Sequence, residues 1–183
     1  CFDVAGPGSL YSARVKTLGR EEKLPRSGDG RLVARKRQTV MKATVKWKGE
    51  ASFEARSGSG HSVVLDGPPD AGGRNQGPRP MEMLLMGLGG CSAFDVVHIL
   101  RRGRHDVTGC EVEIEAERAP KPPQVFTKIH LHYKVAGNGL TEAVVARAIA
   151  LSMEKYCSAS IMLGKTAEIS YDFDLVTPDA AGS

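Results

Sequence analysis

The sequence predicts an α+β fold in which two helices pack against antiparallel sheet. Segments with apolar residues at every second position fall at 41–49, 60–67, 109–118, 125–135 and 167–176, and two longer stretches, 81–102 and 141–157, have helical spacing. The two kinds do not alternate as a βαβ protein would require. The 183 residues suffice for one domain with a substantial core.

The first segment, "MKATVKWKG", sets Ala43, Val45 and Trp47 against Lys42, Thr44, Lys46 and Lys48, the period of a half-buried strand. "GHSVVLDG" is a short strand bounded by Gly60 and Gly67, and the two belong to an N-terminal meander. After the turn-rich "DGPPDAGGRNQGPRP", the chain from Met81 to Arg102 reads as a helix. Pro80 suits its first position, Glu82 its positive end, Arg101 and Arg102 its negative end, and Gly103 can close it. Its apolar residues surround nearly the whole axis, which requires burial on most sides or a subunit interface. Gly87, Gly89 and Gly90 cost up to ~1 kcal/mol each relative to Ala, so close packing or room for a substrate must justify them.

"GCEVEIEAER" sets Cys110, Val112, Ile114 and Ala116 against four glutamates, and "VFTKIHLHYKV" sets Val125, Thr127, Ile129, Leu131, Tyr133 and Val135 against Lys128, His130, His132 and Lys134. An antiparallel pair with one wet face follows. Thr141 caps the second helix, whose Val144, Val145, Ala148, Ile149 and Met153 recur at three and four, and "AEISYDFDLV" closes the domain as a strand.

Charge narrows the partners. Residues 1–40 carry 9 Lys/Arg against 4 Asp/Glu, whereas residues 41–183 carry 16 against 17, so the folded part is near neutral and no nucleic acid is expected. Asp95, His98 and Arg101 interrupt the longest apolar run short of the ~18 residues of a membrane span, so no membrane partner is expected either. Met41 opens the patterned region. Residues 1–40 are read as an extension, non-native or disordered, with a basic targeting peptide as the competing idea; 41–176 as the domain; and 177–183 as a tail. Four cysteines do not make a secreted disulfide scaffold, and a cytoplasmic location is expected.

The remaining question is why Cys91 stands behind two glycines in a helix. Cys157, 66 positions on, ends the second apolar helix, so the two thiols can meet. "GPRPMEMLLMGLGGCSAFDVVHIL" followed by "EKYCSAS" resembles the paired signature of the OsmC/Ohr family over residues 41–176. The resemblance implies an intertwined homodimer with two buried central helices, and reduction of organic hydroperoxides in oxidative-stress defence. By position, Cys91 matches the peroxide-attacking cysteine, Cys157 the resolving cysteine and Glu82 the carboxylate of the helix start. Attack by a thiolate and condensation of the sulfenic acid with a second thiol suit those residue types. An external dithiol resets the pair and no cofactor is needed.

An apolar setting and a nearby carboxylate both raise a thiol pKa, so a cation must compensate. The family uses an arginine; here Arg56, Arg74 and Arg79 are the candidates. Glu82 stands nine positions before Cys91, about 180° round and about 13 Å along an ideal helix, and so steers an arginine rather than the thiol. Met83, Met86, Leu88, Phe94 and Met162 offer an apolar substrate lining.

Other patterns read blandly. Cys91, Asp95 and His98 share one helix face, but His98 lies about two turns from the thiol, which suits a structural or interface network better than a nucleophile triad. His130 and His132 sit among lysines on a solvated face, Cys110 is a packing residue, and no metal is expected. The alternative to a peroxidase is a non-catalytic module that binds an apolar ligand at the dimer interface.

Overall fold

The computed structural model describes residues 40–176; the expectations for the N-terminal extension up to residue 39 and for the tail 177–183 lie outside the described residues. The chain begins with β1 (Ala43–Gly49), β2 (Ser52–Ser57) and β3 (Ser62–Leu65), an antiparallel meander in that order. The sequence reading had not marked β2, although Phe53 and Ala55 alternate with Glu54 and Arg56. Trp47 pairs with Phe53 across the first ladder. The expected half-burial of β1 is not found: Val45 and Trp47 are 60% and 64% exposed, with no described element packed over them.

The second sheet comprises β4 (Asp106–Arg118), β5 (Phe126–Asn138) and β6 (Glu168–Val176), with β5 central. β4 and β5 run antiparallel, but β5 and β6 are parallel, from Lys128↔Glu168 to Ala136↔Val176. This corrects the expectation of wholly antiparallel sheet. The connection between them contains two helices and is long enough to return the chain to the end where β5 began. A second correction lies at the start of β5. Arg118 pairs with Phe126 and Glu117 with Lys128, so Thr127 is an extra residue, and this bulge reverses the facing. Phe126 is therefore buried, while Val125 and Thr127, expected inside, are exposed.

Helix α1 (Pro80–Arg102) starts where Glu82 turns back onto the Arg79 amide at 2.9 Å, satisfying one of the free N–H groups of the first turn. It ends as Gly103 N–H bonds Ile99 at 3.0 Å; the left-handed residue is Arg104, φ 62°, not the glycine. Leu88, Ser92, Val96 and Leu100, spaced by four, are buried on one face. They pack with Ile129, Leu131, Tyr133 and Val135 of β5 and with Val145, Ala148 and Ile149 of α2 (Glu142–Leu151). Each fully buried leucine or valine contributes about 1.5–3 kcal/mol. Gly89 belongs to this face because a Cβ there would stand 2.8 Å from Ile114 Cδ1 of β4. Burial on most sides is not found among the described residues: Leu84, Met86 and Phe94 are 47%, 58% and 70% exposed. Contrary to the sequence reading, α1 does reach the length and apolarity of a span, with mean hydropathy 1.7, yet its buried face carries Ser92, whose hydroxyl is satisfied by protein groups.

The second helical stretch is broken. α2 stops at Leu151, a π turn covers Ser152–Tyr156, and α3 (Ser158–Leu163) follows after Cys157, which is extended at φ −69°, ψ 103°. Thr141 occupies the cap position of α2, but its side chain makes no capping bond; its carbonyl accepts from Val144 and Val145 at 3.1 Å.

Candidate thiol site

The π turn places Cys157. Its N–H bonds the Ser152 carbonyl five residues back, at 2.8 Å, and the extra residue in that turn releases the backbone from the helix at the cysteine. Cys157 then starts α3: its Sγ accepts from the Ser160 amide at 3.5 Å and its carbonyl from the Ile161 amide at 3.1 Å. It is fully buried. Cys91, half-buried on α1, faces it, and Asp95, one turn on, completes the group. The two sulfurs and a carboxylate oxygen of Asp95 all lie within 4.8 Å of one another.

A buried polar chain supports this group. The Ser152 hydroxyl lies 3.5 Å from Asp95 Oδ2, 3.4 Å from the Ser92 carbonyl and 3.3 Å from Ser92 Oγ. Ser92 Oγ pairs with the Tyr133 hydroxyl, which also donates to Met153 Sδ at 3.1 Å. Burial pushes the Tyr133 hydroxyl up to about 12, so it remains a donor at any ordinary pH. Burial, with Cys91 adding to it against the Ser160 amide, also pushes the Cys157 thiol up. Burial therefore disfavours the Cys157 thiolate at neutral pH.

The other expected site residues lie elsewhere. Glu82 is engaged by Arg79, whose Nη1 donates at 3.1 Å, and it edges an apolar cleft of ≈ 510 Å³ between α1 and β4, with Leu85, Met86, Gly89, Gly90, Ala93, Val112 and Ile114. Phe94 stacks on His98, ring centroids 6.0 Å apart, at a separate cleft that Cys110 also lines. Met83 is half-buried on α1, Met162 of α3 is 72% exposed, and Leu88 is in the core. Among the described residues these apolar side chains do not form one lining, and Leu88 drops out because it is fully buried in the core. Arg56 donates from Nε to Ser62 Oγ at 3.3 Å, and Arg74 pairs with Glu50 at 2.9 Å. His98 takes no part in the thiol group. A cleft of ≈ 650 Å³ lies over the first sheet around Asp66 and Arg74, and neither thiol lines it.

Sequence reasoning did not find Ser92, Tyr133, Ser152 and Met153 as a network. The available signal was Tyr133 and Ser92, polar groups at positions whose neighbours at the relevant period are apolar.

The OsmC-like protein family model matches residues 73–172. Over 136 residues the chain is 48% identical to Protein YhfA of Escherichia coli strain K12, covering 74% of this chain and 98% of YhfA. The chain belongs to the OsmC-like family. Solved OsmC-like structures share the fold: an OsmC-like protein from Mycoplasma pneumoniae superposes with TM-score 0.66 at 19% identity, covering 75% of this chain and 98% of that one. OhrB of Bacillus subtilis, an organic hydroperoxide resistance protein, does so with TM-score 0.54 at 16% identity, covering 74% and 98%. OsmC-family proteins typically dimerise.

Proposed function

We propose that this OsmC-like chain is a thiol peroxidase that reduces organic hydroperoxides through Cys91 and Cys157 as a homodimer. The observation that carries the proposal is the meeting of two thiols 66 positions apart, with Asp95, within 4.8 Å. Cys91 is the attacker because it is the more accessible thiol. Its thiolate takes one peroxide oxygen, the O–O bond breaks, and the alkoxide leaves and is protonated to the alcohol. Water supplies that proton. The Cys157 thiol then attacks the Cys91 sulfenic acid, forming the disulfide and releasing water. Two thiols this close need little backbone movement to bond. An external dithiol restores them by exchange.

The homodimer is supported by apolar surface that one chain leaves open: Val45 and Trp47 on the first sheet, Leu84, Met86 and Phe94 on α1, and Met162 on α3. A partner covering α1 would also bring its own arginines toward Cys91, the compensation that Arg56 or Arg79 is expected to supply. A cytoplasmic, reducing location suits free thiols in this role.

Intact-mass spectrometry of reduced protein given one equivalent of an organic hydroperoxide tests the reading. Loss of two hydrogens in wild type, and sulfenic or over-oxidised product confined to Cys91 in Cys157→Ser, is expected. Unchanged wild-type mass, or equal peroxide consumption by Cys91→Ser, overturns it. The apolar cleft edged only by Glu82 favours a second reading, a binding module for an apolar ligand; ligand-dependent thermal shift in Cys91→Ser would support that one instead.

A further inference from the structure

We infer that the reduced Cys91, Asp95 and Cys157 side chains form a binding site for one zinc-class divalent cation. Two sulfurs and one carboxylate oxygen are a donor set that zinc accepts, and three protein ligands leave its fourth position to water or another ligand. Donors at bond lengths of about 2.0–2.3 Å in tetrahedral array stand roughly 3.3–3.8 Å apart. These three lie within 4.8 Å of one another, about an ångström from that spacing.

The donors are also supported as ligands need to be. Asp95 lies against the Ser152 hydroxyl and Cys157 Sγ against the Ser160 amide, contacts that orient a ligand and tune its basicity. Charge makes the same case. Ionising both thiols beside Asp95 would gather three negative charges where Cys157 is fully buried. A dication offsets two of the three, and a coordinated thiol loses its proton outright. Another group among the described residues, His130, His132 and Asp172, differs. There Nδ1 of His132 is already paired with Asp172 at 2.5 Å and Nδ1 of His130 with Ser170 at 2.9 Å, on an open face of the sheet.

The inference does not depend on peroxidase activity, since it concerns the reduced pair alone. Oxidation to the disulfide consumes both sulfur donors, so the site exists only in the dithiol state. Metal-free, reduced full-length protein with Cys1→Ser and Cys110→Ser as background is titrated with Co²⁺ and, against a chromophoric chelator, with Zn²⁺. One metal per chain is expected, with thiolate-to-cobalt absorption that falls by about half in Cys157→Ser. Asp95→Asn is expected to bind zinc about tenfold or more weakly, and diamide-oxidised protein not at all. Circular dichroism establishes that each variant is folded, and His132→Asn should bind as the background does. No uptake by the reduced background protein, or uptake unchanged in Cys157→Ser and Asp95→Asn, overturns the inference. Peroxide consumption by the same metal-free samples is read separately: uptake without consumption overturns only the peroxidase proposal, and consumption without uptake only this one.

Discussion

Asp66 is a buried carboxylate whose oxygens accept from the amides of Gly67, Arg74 and Gln76 at 2.8, 2.9 and 3.0 Å, fastening the loop that leads into α1. The Gln76 and Arg74 amides hold its pKa below the usual 3.8. A depressed folded value means that its stabilisation is present above the unfolded value near 3.8 and is lost as pH falls through the folded one. Asp66→Asn should therefore be less stable than wild type to urea at pH 7, with the gap closing as pH drops below about 4. Tyr133→Phe removes the partner of Ser92 in the core and should cost on the order of 1–2 kcal/mol by the same urea measurement. The cysteines were legible because each stands in a motif of small residues. Asp95 was legible as a helix-face neighbour of Cys91, but its nearness to Cys157 depends on a π turn that contains neither Gly nor Pro to announce it.

At the scale of elements, the wet face of the second sheet is a ladder of charge. His132 pairs with Asp172 at 2.5 Å and Lys134 with Glu113 at 2.5 Å. The Asp172 contact raises the His132 pKa above 6.5, so the stabilisation is complete below the unfolded value and disappears as pH rises through the folded one. His132→Asn should thus widen its stability deficit from pH 9 to pH 5.5, measured by urea midpoints. Closer to the loop, a Cβ at Gly77 would stand 2.1 Å from the Val64 carbonyl of β3. Gly77→Ala should cost about 2–3 kcal/mol, since backbone rather than a flexible side chain must yield. Strand alternation made β4 and β5 legible, but the bulge at Thr127 was not, because Val125 and Phe126 are both apolar and either phase satisfied the pattern.

For the whole molecule, the apolar faces of β1 and α1 decide the assembly. Light scattering should report a homodimer, and Phe94→Glu with Trp47→Glu should shift it to monomer; a monomeric wild type would sink the assembly. Thermal midpoints should rise with protein concentration, as mass action requires of a dimer. The periodicity of α1 showed that it wanted cover on most sides but could not say that the chain itself covers one.

The parallel pairing of β5 with β6 also sets a schedule. Lys128 awaits Glu168, 40 residues further on, so the central strand has one open edge until the last described strand leaves the ribosome. At about 5–20 residues per second, that edge stands exposed for roughly 2–8 s in every round of synthesis. Cys91 and Cys157 are both made before it closes, and the helices that carry them cover one face of a sheet that is still a strand short. A nascent chain stalled in that interval presents a thirteen-residue strand ready to pair with another copy. The hazard of this fold therefore lies in translation, at its C-terminal end.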